Sequence, residues 1–192
     1  MVQIGDVAVY AEECFALGAH RLAAPAMDNR SACALLVSIL QDLPAVKDTV
    51  IAVFTTQEEV GCRGSQTAAY SIQPDIGIAL DVTLCGDVPE DHKLAVNLGD
   101  GPAIKVMDAG SISNPELVAA LHAAAKRAKV AVQREVLPYG GTDAKSMQTS
   151  RGGVPVCTVS IPCRNVHSPV ETVDLRDMDG AKKVVLSYLN GK

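Results

Sequence analysis

Two kinds of hydrophobic pattern alternate along this 192-residue chain. Continuous apolar runs are typical of strands buried on both faces, and apolar residues that recur every three or four positions are typical of one helix face. These patterns predict strands at 2–10, 49–56, 76–84, 102–107, 130–137 and 154–161, and helices at 29–43, 65–72, 115–129, 142–150 and 174–189. Such alternation predicts a layered α/β domain with helices on both faces of a mostly parallel sheet.

The first predicted strand, residues 2–10, departs from this regular order. It has no second strand to pair with before the first predicted helix. A lone strand leaves its backbone N–H and C=O groups without partners. We therefore interpret residues 2–10 as the end of a unit whose other strands lie earlier in a longer chain.

Composition narrows the possible classes of function. The chain has 17 Lys and Arg against 22 Asp and Glu, a net charge of −5, and no cluster of basic residues stands out. With no Trp and only 2 Phe it offers little surface for base stacking, so nucleic-acid binding is not expected. The longest nearly apolar stretch, 32–40, is far shorter than the roughly 18 residues of a membrane span. The first residues lack the regions of a signal peptide, and six widely spaced cysteines without a C-x-x-C pair fit reduced thiols. We expect a cytoplasmic protein with no nucleic-acid partner and no membrane association.

Polar residues interrupt the apolar pattern near the ends of the predicted strands. Asp28 stands at the start of the first helix, Glu58 and Glu59 follow the second strand, Asp81 lies inside the third, and His167 follows the last. Sites in open α/β sheets form at the carboxyl ends of strands, so we expect these side chains to converge. Carboxylates and an imidazole suit Zn²⁺, Co²⁺ or Mn²⁺.

Each of these residues also has a simpler structural interpretation. Asp28 could cap the helix that follows it, and adjacent acids such as Glu58 and Glu59 commonly form a solvated turn. A single loop histidine such as His167 is more often incidental than a ligand. Asp81 is the exception, because an unpaired carboxylate inside a buried strand costs several kcal/mol and requires a cation or a dense hydrogen-bond network.

Six short motifs resemble the glutamyl/tetrahedral aminopeptidase family of di-metal peptidases. They are AMDNR (26–30), TQEEVGCRG (56–64), ALDV (79–82), GGTDA (140–144), RGGVP (151–155) and IPCRNVHSPVE (161–171). The motifs run in the family's order over nearly the whole chain. The resemblance implies a three-layer αβα, zinc-peptidase-like fold with a mixed, mostly parallel sheet. Members of this family are often labelled cellulase or endoglucanase, a name that the chemistry of the site does not support.

The resemblance also implies a role for each candidate residue. Asp28 matches the carboxylate that bridges two metal ions. Glu59 and His167 match the remaining ligands of one ion, and Asp81 matches a ligand of the other. Glu58 matches the general base that takes a proton from the water between the ions.

The implied function is a metal-dependent aminopeptidase that removes N-terminal residues from short peptides, with Zn²⁺, Co²⁺ or Mn²⁺ as cofactor. Thr142 and Asp143 match a motif on the substrate side of the site. The alternatives are a related metal-dependent amidohydrolase or deacylase, and a non-catalytic or complementing fragment of a split aminopeptidase. A glycosidase fits less well, because its paired carboxylates would need neither His167 nor the buried Asp81.

The family builds its catalytic domain from two stretches of chain on either side of an inserted β-rich domain. By resemblance, residues 1–20 are the exit strand and linker of a missing inserted domain, and residues 21–192 are the C-terminal part of the catalytic domain. The family's earlier stretch supplies a histidine to the second metal. His20, His92 and His122 do not match that histidine, and we expect them to be surface or structural residues.

This departure from the family pattern leaves two unequal sets of ligands. One ion would keep Asp28, Glu59 and His167, and the other would keep only Asp28 and Asp81. We therefore expect one occupied metal position in the isolated chain, or a second polypeptide that supplies the missing half. Missing strands would also expose a sheet edge, so a homo-oligomer is expected. Asn165 stands where the family usually has an aromatic residue, which alters the substrate side.

Overall fold

The computed structural model of the chain describes residues 1–11, 13–89 and 94–191. Strands and helices within these ranges follow one another in the order β1 (Phe15–Leu17), β2 (Arg21–Ala24), α1 (Met27–Asp42), α2 (Arg63–Ile72), β3 (Gly77–Leu84), β4 (Ala103–Met107), α3 (Pro115–Ala128), β5 (Gln133–Val136), α4 (Ala144–Gln148), β6 (Val156–Arg164), β7 (Glu171–Asp174) and α5 (Leu175–Asn190). His92, which is expected to be a surface or structural residue, lies outside the described residues.

All five predicted helices are present, with ends that differ by a few residues from the sequence pattern. The start of helix α3 could be predicted because the residues there are typical of a helix N-terminus. The side chain of Asn114 accepts the Leu117 N–H at 2.9 Å, and Pro115 occupies the first turn, where a missing N–H costs nothing. Four of the predicted strands correspond to β3, β4, β5 and β6.

Strand β6 is the centre of the sheet. It pairs in parallel with β3 and, at separate positions, antiparallel with β4 and β7. Strand β5 extends the sheet beyond β4 in parallel, while β2 and then β1 extend it antiparallel beyond β7. The sheet is mixed, as expected, but four of the six pairings in the described residues are antiparallel. The parallel share is smaller than predicted because β1, β2 and β7 are too short to show in the hydrophobic pattern.

Helices cover both faces of this sheet. Helices α1, α3 and α5 pack together on one face, whereas α2 packs on α4, which lies against β3 and β6. In β3, Ala79 packs with Ala144 of α4, while its neighbours Ile78 and Leu80 pack against the main core. Successive strand side chains point to opposite faces, so the two groups of helices form separate layers. The three-layer αβα architecture is confirmed.

Two predicted strands, 2–10 and 49–56, are absent from the structure. Neither segment pairs with any described strand. The apolar side chains of both are largely exposed, including Ile51, Val53 and Phe54, at 56%, 39% and 51%. The pattern identified segments suited to a buried sheet, but a strand forms only where a neighbour satisfies its backbone.

A buried ion pair ties together the strands beneath the candidate site. The Lys105 Nζ lies 2.9 Å from Oε1 of Glu135, and both side chains are at most 2% exposed. The hydroxyls of Thr83 and Ser160 donate to the two Glu135 oxygens, each at 2.6 Å. Ser160 is the register partner of Asp81. Removing one member of such a pair typically lowers the stability of the fold by about 3–5 kcal/mol. Because Thr83 of β3 and Ser160 of β6 both bond to Glu135, the network holds these two strands together near Asp81.

The state of the cysteines agrees with the expectation of reduced thiols. All six cysteines are free, and four of them are buried, as small apolar side chains are. None of the helices in the described ranges combines the length and the apolar character needed to cross a membrane.

Candidate metal centre and active site

Three of the predicted metal ligands meet at one point of the structure. The Nε2 atom of His167 lies 3.1 Å from Oδ2 of Asp28 and 3.2 Å from Oε2 of Glu59. Asp28 comes from the start of α1, Glu59 from the loop before α2, and His167 from the loop between β6 and β7. We call these three residues the triad. The side chains of His167 and Glu59 are 67% and 56% exposed, so one side of the triad is open to a substrate.

The loops that carry Glu59 and His167 contain residues in the left-handed backbone conformation. Gln57, just before the paired glutamates, has φ 59°, and Asn165 and His167 have φ 57° and 62°. Asn and His are among the residues enriched in this region, but any side chain there is uncommon. Such conformations persist where the surrounding structure enforces them, and they cluster at functional sites.

The surroundings of Asp28 favour a bound cation. Burial, followed by the charges of Glu59 and Glu171, raises the pKa of Asp28 to about 7. Crowded, partly buried carboxylates destabilise one another's ionised forms, and a cation among them reverses that effect. Two carboxylates and an imidazole also provide the three protein ligands that a catalytic zinc site uses. The residues present therefore fit a divalent metal ion.

Asp81 lies near the triad but is not part of it. Its side chain is 6% exposed, and Oδ1 accepts the Val82 N–H at 2.9 Å. Burial raises the pKa of Asp81 well above its ordinary value, and the charges of Asp28 and Glu58 raise it further. Asp81 is thus electrostatically coupled to the site. It belongs to neither of the two groups of described residues whose ligand atoms lie within 4.8 Å of one another, which are the triad and the group of Glu58, Cys62 and Asp143. Its role as a ligand of a second ion stays a prediction.

Glu58 is held beside the triad by its own turn. Its carbonyl accepts the N–H groups of Gly61 and Cys62 at 2.9 and 2.8 Å, and its Oε1 accepts the Cys62 thiol at 3.2 Å. Burial raises the pKa of Glu58, and the thiol contact opposes that rise. Burial, followed by the hydrogen bond to Glu58, raises the pKa of Cys62 to about 12, so the thiol is protonated at neutral pH and donates to the Glu58 carboxylate.

Thr142 and Asp143 are engaged inside the protein. The Thr142 hydroxyl is 3.0 Å from that of Thr158, and Thr142 is 1% exposed. The two Asp143 oxygens accept the hydroxyls of Thr55 and Ser65 at 2.6 and 2.5 Å. These bonds connect the segment before Glu58 to α2 and α4. The substrate contact that the resemblance implies for Thr142 and Asp143 stays a prediction.

Glu171 is a further residue of the site, for which the sequence predicted no role. This first residue of β7 is 2% exposed, and its carboxylate accepts the backbone N–H of Asp28 at 2.9 Å and that of His167 at 2.6 Å. A usable signal was present in the sequence. Glu171 ends the motif that contains His167, whereas β7 itself is too short to show in the hydrophobic pattern.

The other described histidines stand apart from the triad. His20 is exposed in the turn between β1 and β2. His122 lies within α3, where burial and the charge of Arg134 lower its pKa. Neither belongs to the group of ligand atoms around Asp28.

Comparison with known proteins identifies the family. Residues 1–184 match the M42 glutamyl aminopeptidase family. The chain belongs to this family. A relative from Acetivibrio thermocellus is 46% identical over 189 residues, which are 98% of this chain and 57% of that protein. The M42 chain spans about half the length of the curated relatives it matches.

Solved structures of M42 relatives share its fold. Aminopeptidase APDkam598 from the archaeon Desulfurococcus kamchatkensis superposes with a TM-score of 0.95 at 37% identity, covering 100% of this chain and 55% of that chain. The TET1 peptidase of Pyrococcus horikoshii, which can assemble into a tetrahedron or a large octahedral shell, gives a TM-score of 0.83 at 28% identity, covering 94% of this chain and 53% of that chain.

The unequal ligand sets predict how much metal this M42 chain holds. We expect one tightly bound Zn²⁺ or Co²⁺ per chain after exhaustive dialysis, because the triad provides three ligands whereas a second position would share Asp28 and add only Asp81. Metal analysis of the purified chain measures this ratio. Two tightly held equivalents without a partner would contradict it.

Proposed function

We propose that this M42 chain is a metal-dependent aminopeptidase that removes N-terminal residues from short peptides. The observation that carries the proposal is the contact of the His167 imidazole with Asp28 and Glu59, at 3.1 and 3.2 Å, beside the partly buried Glu58. Membership of the M42 family and similarity to a solved aminopeptidase support it.

In the proposed mechanism, one group of residues binds the metal and a neighbouring residue transfers the proton. The triad would hold a divalent ion, Zn²⁺, Co²⁺ or Mn²⁺, and Asp28 and Asp81 would be available to a second ion. Such an ion would act as a Lewis acid, which polarises the peptide carbonyl and makes water a stronger nucleophile. Glu58 takes the proton from the attacking water and passes it to the leaving amine. The peptide C–N bond breaks, and an amino acid and a shortened peptide result.

A base that is not itself a metal ligand is essential to this scheme. Glu58 and Glu59 are adjacent at the end of one segment, and the turn around Cys62 directs Oε1 of Glu58 towards the thiol rather than towards His167. Glu59 can therefore hold the ion while Glu58 handles the proton.

We also propose that a further segment completes the catalytic domain. Residues 1–20 would be the exit strand and linker of an inserted domain, and 21–192 the C-terminal part of the catalytic domain. The exposed apolar segment 49–56, unpaired within the described residues, and the greater length of the relatives support this arrangement. The segment could come from a complementing chain. Assembly into a homo-oligomer, as the Pyrococcus horikoshii relative shows, is part of the same proposal.

An activity assay tests the proposed function. The purified chain is mixed with aminoacyl p-nitroanilides and Co²⁺ or Zn²⁺, with and without a chelator, alone and with cell extract. We expect hydrolysis that the chelator abolishes and added metal restores. N-acetylated substrates are the control, because an aminopeptidase requires a free terminal amine whereas a deacylase releases the acyl group.

The outcomes separate the alternatives. Activity of the chain alone supports the enzyme, and activity only in the presence of extract supports a complementing fragment. Release of acetate from the acylated substrates would favour an amidohydrolase or deacylase. Chelator-insensitive hydrolysis would contradict all of these metal-dependent functions.

A further inference from the structure

Two ligands of the candidate metal centre depend on one carboxylate for the position of their backbones. Asp28 and His167 lie in different elements, at the start of α1 and in the loop after β6, and 139 positions separate them, from 28 to 167. Nevertheless Glu171 accepts the N–H groups of both, Asp28 through Oε2 and His167 through Oε1. The side chains of these same two residues then meet at 3.1 Å.

The burial of the Glu171 carboxylate is unfavourable in free energy unless neighbouring groups compensate for the lost hydration. Glu171 is 2% exposed, so its carboxylate loses most of its hydration, and the acid Asp28 stands close to it. No Lys or Arg of the described residues forms an ion pair with Glu171. Two backbone N–H groups offset part of the cost, and a cation held by the triad would offset more.

We propose that Glu171 is a positioning residue of the metal centre: its carboxylate holds the backbones of Asp28 and His167 at the separation at which their side chains converge on one cation. The inference rests on the proposed function, because it takes the triad to be the metal-binding group. Groups that orient metal ligands typically contribute about 10–100-fold to metal affinity.

Two substitutions test this role through Zn²⁺ affinity, measured by competition with a chromophoric chelator. Glu171→Gln keeps the length of the side chain but has one acceptor oxygen, so an NH₂ group faces either Asp28 or His167. Glu171→Asp keeps two acceptor oxygens but is one methylene too short to reach both N–H groups. We expect Glu171→Gln to bind Zn²⁺ about 10–100-fold more weakly than wild type, and Glu171→Asp to bind it more weakly as well.

The chain offers a matched control in Asp177 of α5. Its buried carboxylate also accepts two backbone N–H groups, those of Gly99 and Gly101 at 2.7 and 2.9 Å, but it contacts no triad residue. Asp177→Asn should therefore lower the melting temperature, as loss of a buried clamp does, and leave Zn²⁺ affinity unchanged. A purely structural role for Glu171 predicts the same outcome for its own variants.

Failure of this inference differs from failure of the proposed function. If the wild-type chain binds no Zn²⁺, the metal-dependent function is contradicted. If wild type binds Zn²⁺ and Glu171→Gln binds it as tightly as Asp177→Asn does, the positioning role is overturned. Wild-type affinity in Glu171→Asp also overturns it, and that milder variant decides the question if Glu171→Gln does not fold.

Discussion

Glu58→Gln is expected to reduce kcat about 10²–10⁴-fold, the usual contribution of a general base, while the bound metal stays in place. The amide cannot take a proton from water, but it has nearly the same shape as the carboxylate and still offers an oxygen to the Cys62 thiol, 3.2 Å away. The triad is unchanged, so binding and proton transfer are separated by this one substitution. Steady-state kinetics and metal analysis of the same preparation measure the two quantities.

Glu116→Gln is the matched control for this experiment. Glu116 is exposed in the first turn of α3, away from the triad, and its substitution should leave kcat and metal content unchanged. Full activity in Glu58→Gln would show that another group accepts the proton. Loss of metal together with activity would instead show that Glu58 is a ligand, contrary to the proposal that Glu59 binds the ion and Glu58 transfers the proton.

The parts of the fold that could be predicted are those whose signals are local. Helix α3 carries its cap and its apolar face in its own sequence, and most positions of β6 before Arg164 are apolar or β-branched. Strands β1, β2 and β7 have only three or four residues each, so their pairing was invisible. The segments 2–10 and 49–56 have a strand-like pattern but form no strand in the structure. The pattern does not show whether a neighbouring strand is present to satisfy the backbone.

The site shows the same division between local and distant signals. Asp28, Glu59 and His167 could be predicted because they lie near the ends of predicted strands and in motifs that resemble the family's, and the structure brings them together. Glu171 acts through backbone N–H groups of residues far away in the sequence. Such a contact leaves no pattern of spacing, and it becomes visible only when the chain is folded.

His167→Asn is expected to weaken Zn²⁺ binding by more than the about 10–100-fold that loss of an orienting contact costs, and to abolish metal-dependent hydrolysis. The change removes the imidazole from the triad and leaves two carboxylates, and oxygen ligands alone suit Mg²⁺ or Ca²⁺ better than Zn²⁺. Asparagine is chosen because residue 167 has φ 62°, a conformation that Asn adopts more readily than Ala. The side chain is 67% exposed, so the fold should persist.

His20→Asn provides the comparison, since His20 is an exposed histidine outside the triad. Its Zn²⁺ affinity, measured by the same chelator competition, should equal that of wild type. The decisive quantity is the ratio of affinities for Zn²⁺ and Mg²⁺, which should fall in His167→Asn and stay constant in His20→Asn. An unchanged ratio in His167→Asn would mean that the imidazole is not a ligand, and the convergence of Asp28, Glu59 and His167 would then be an ordinary hydrogen-bonded cluster.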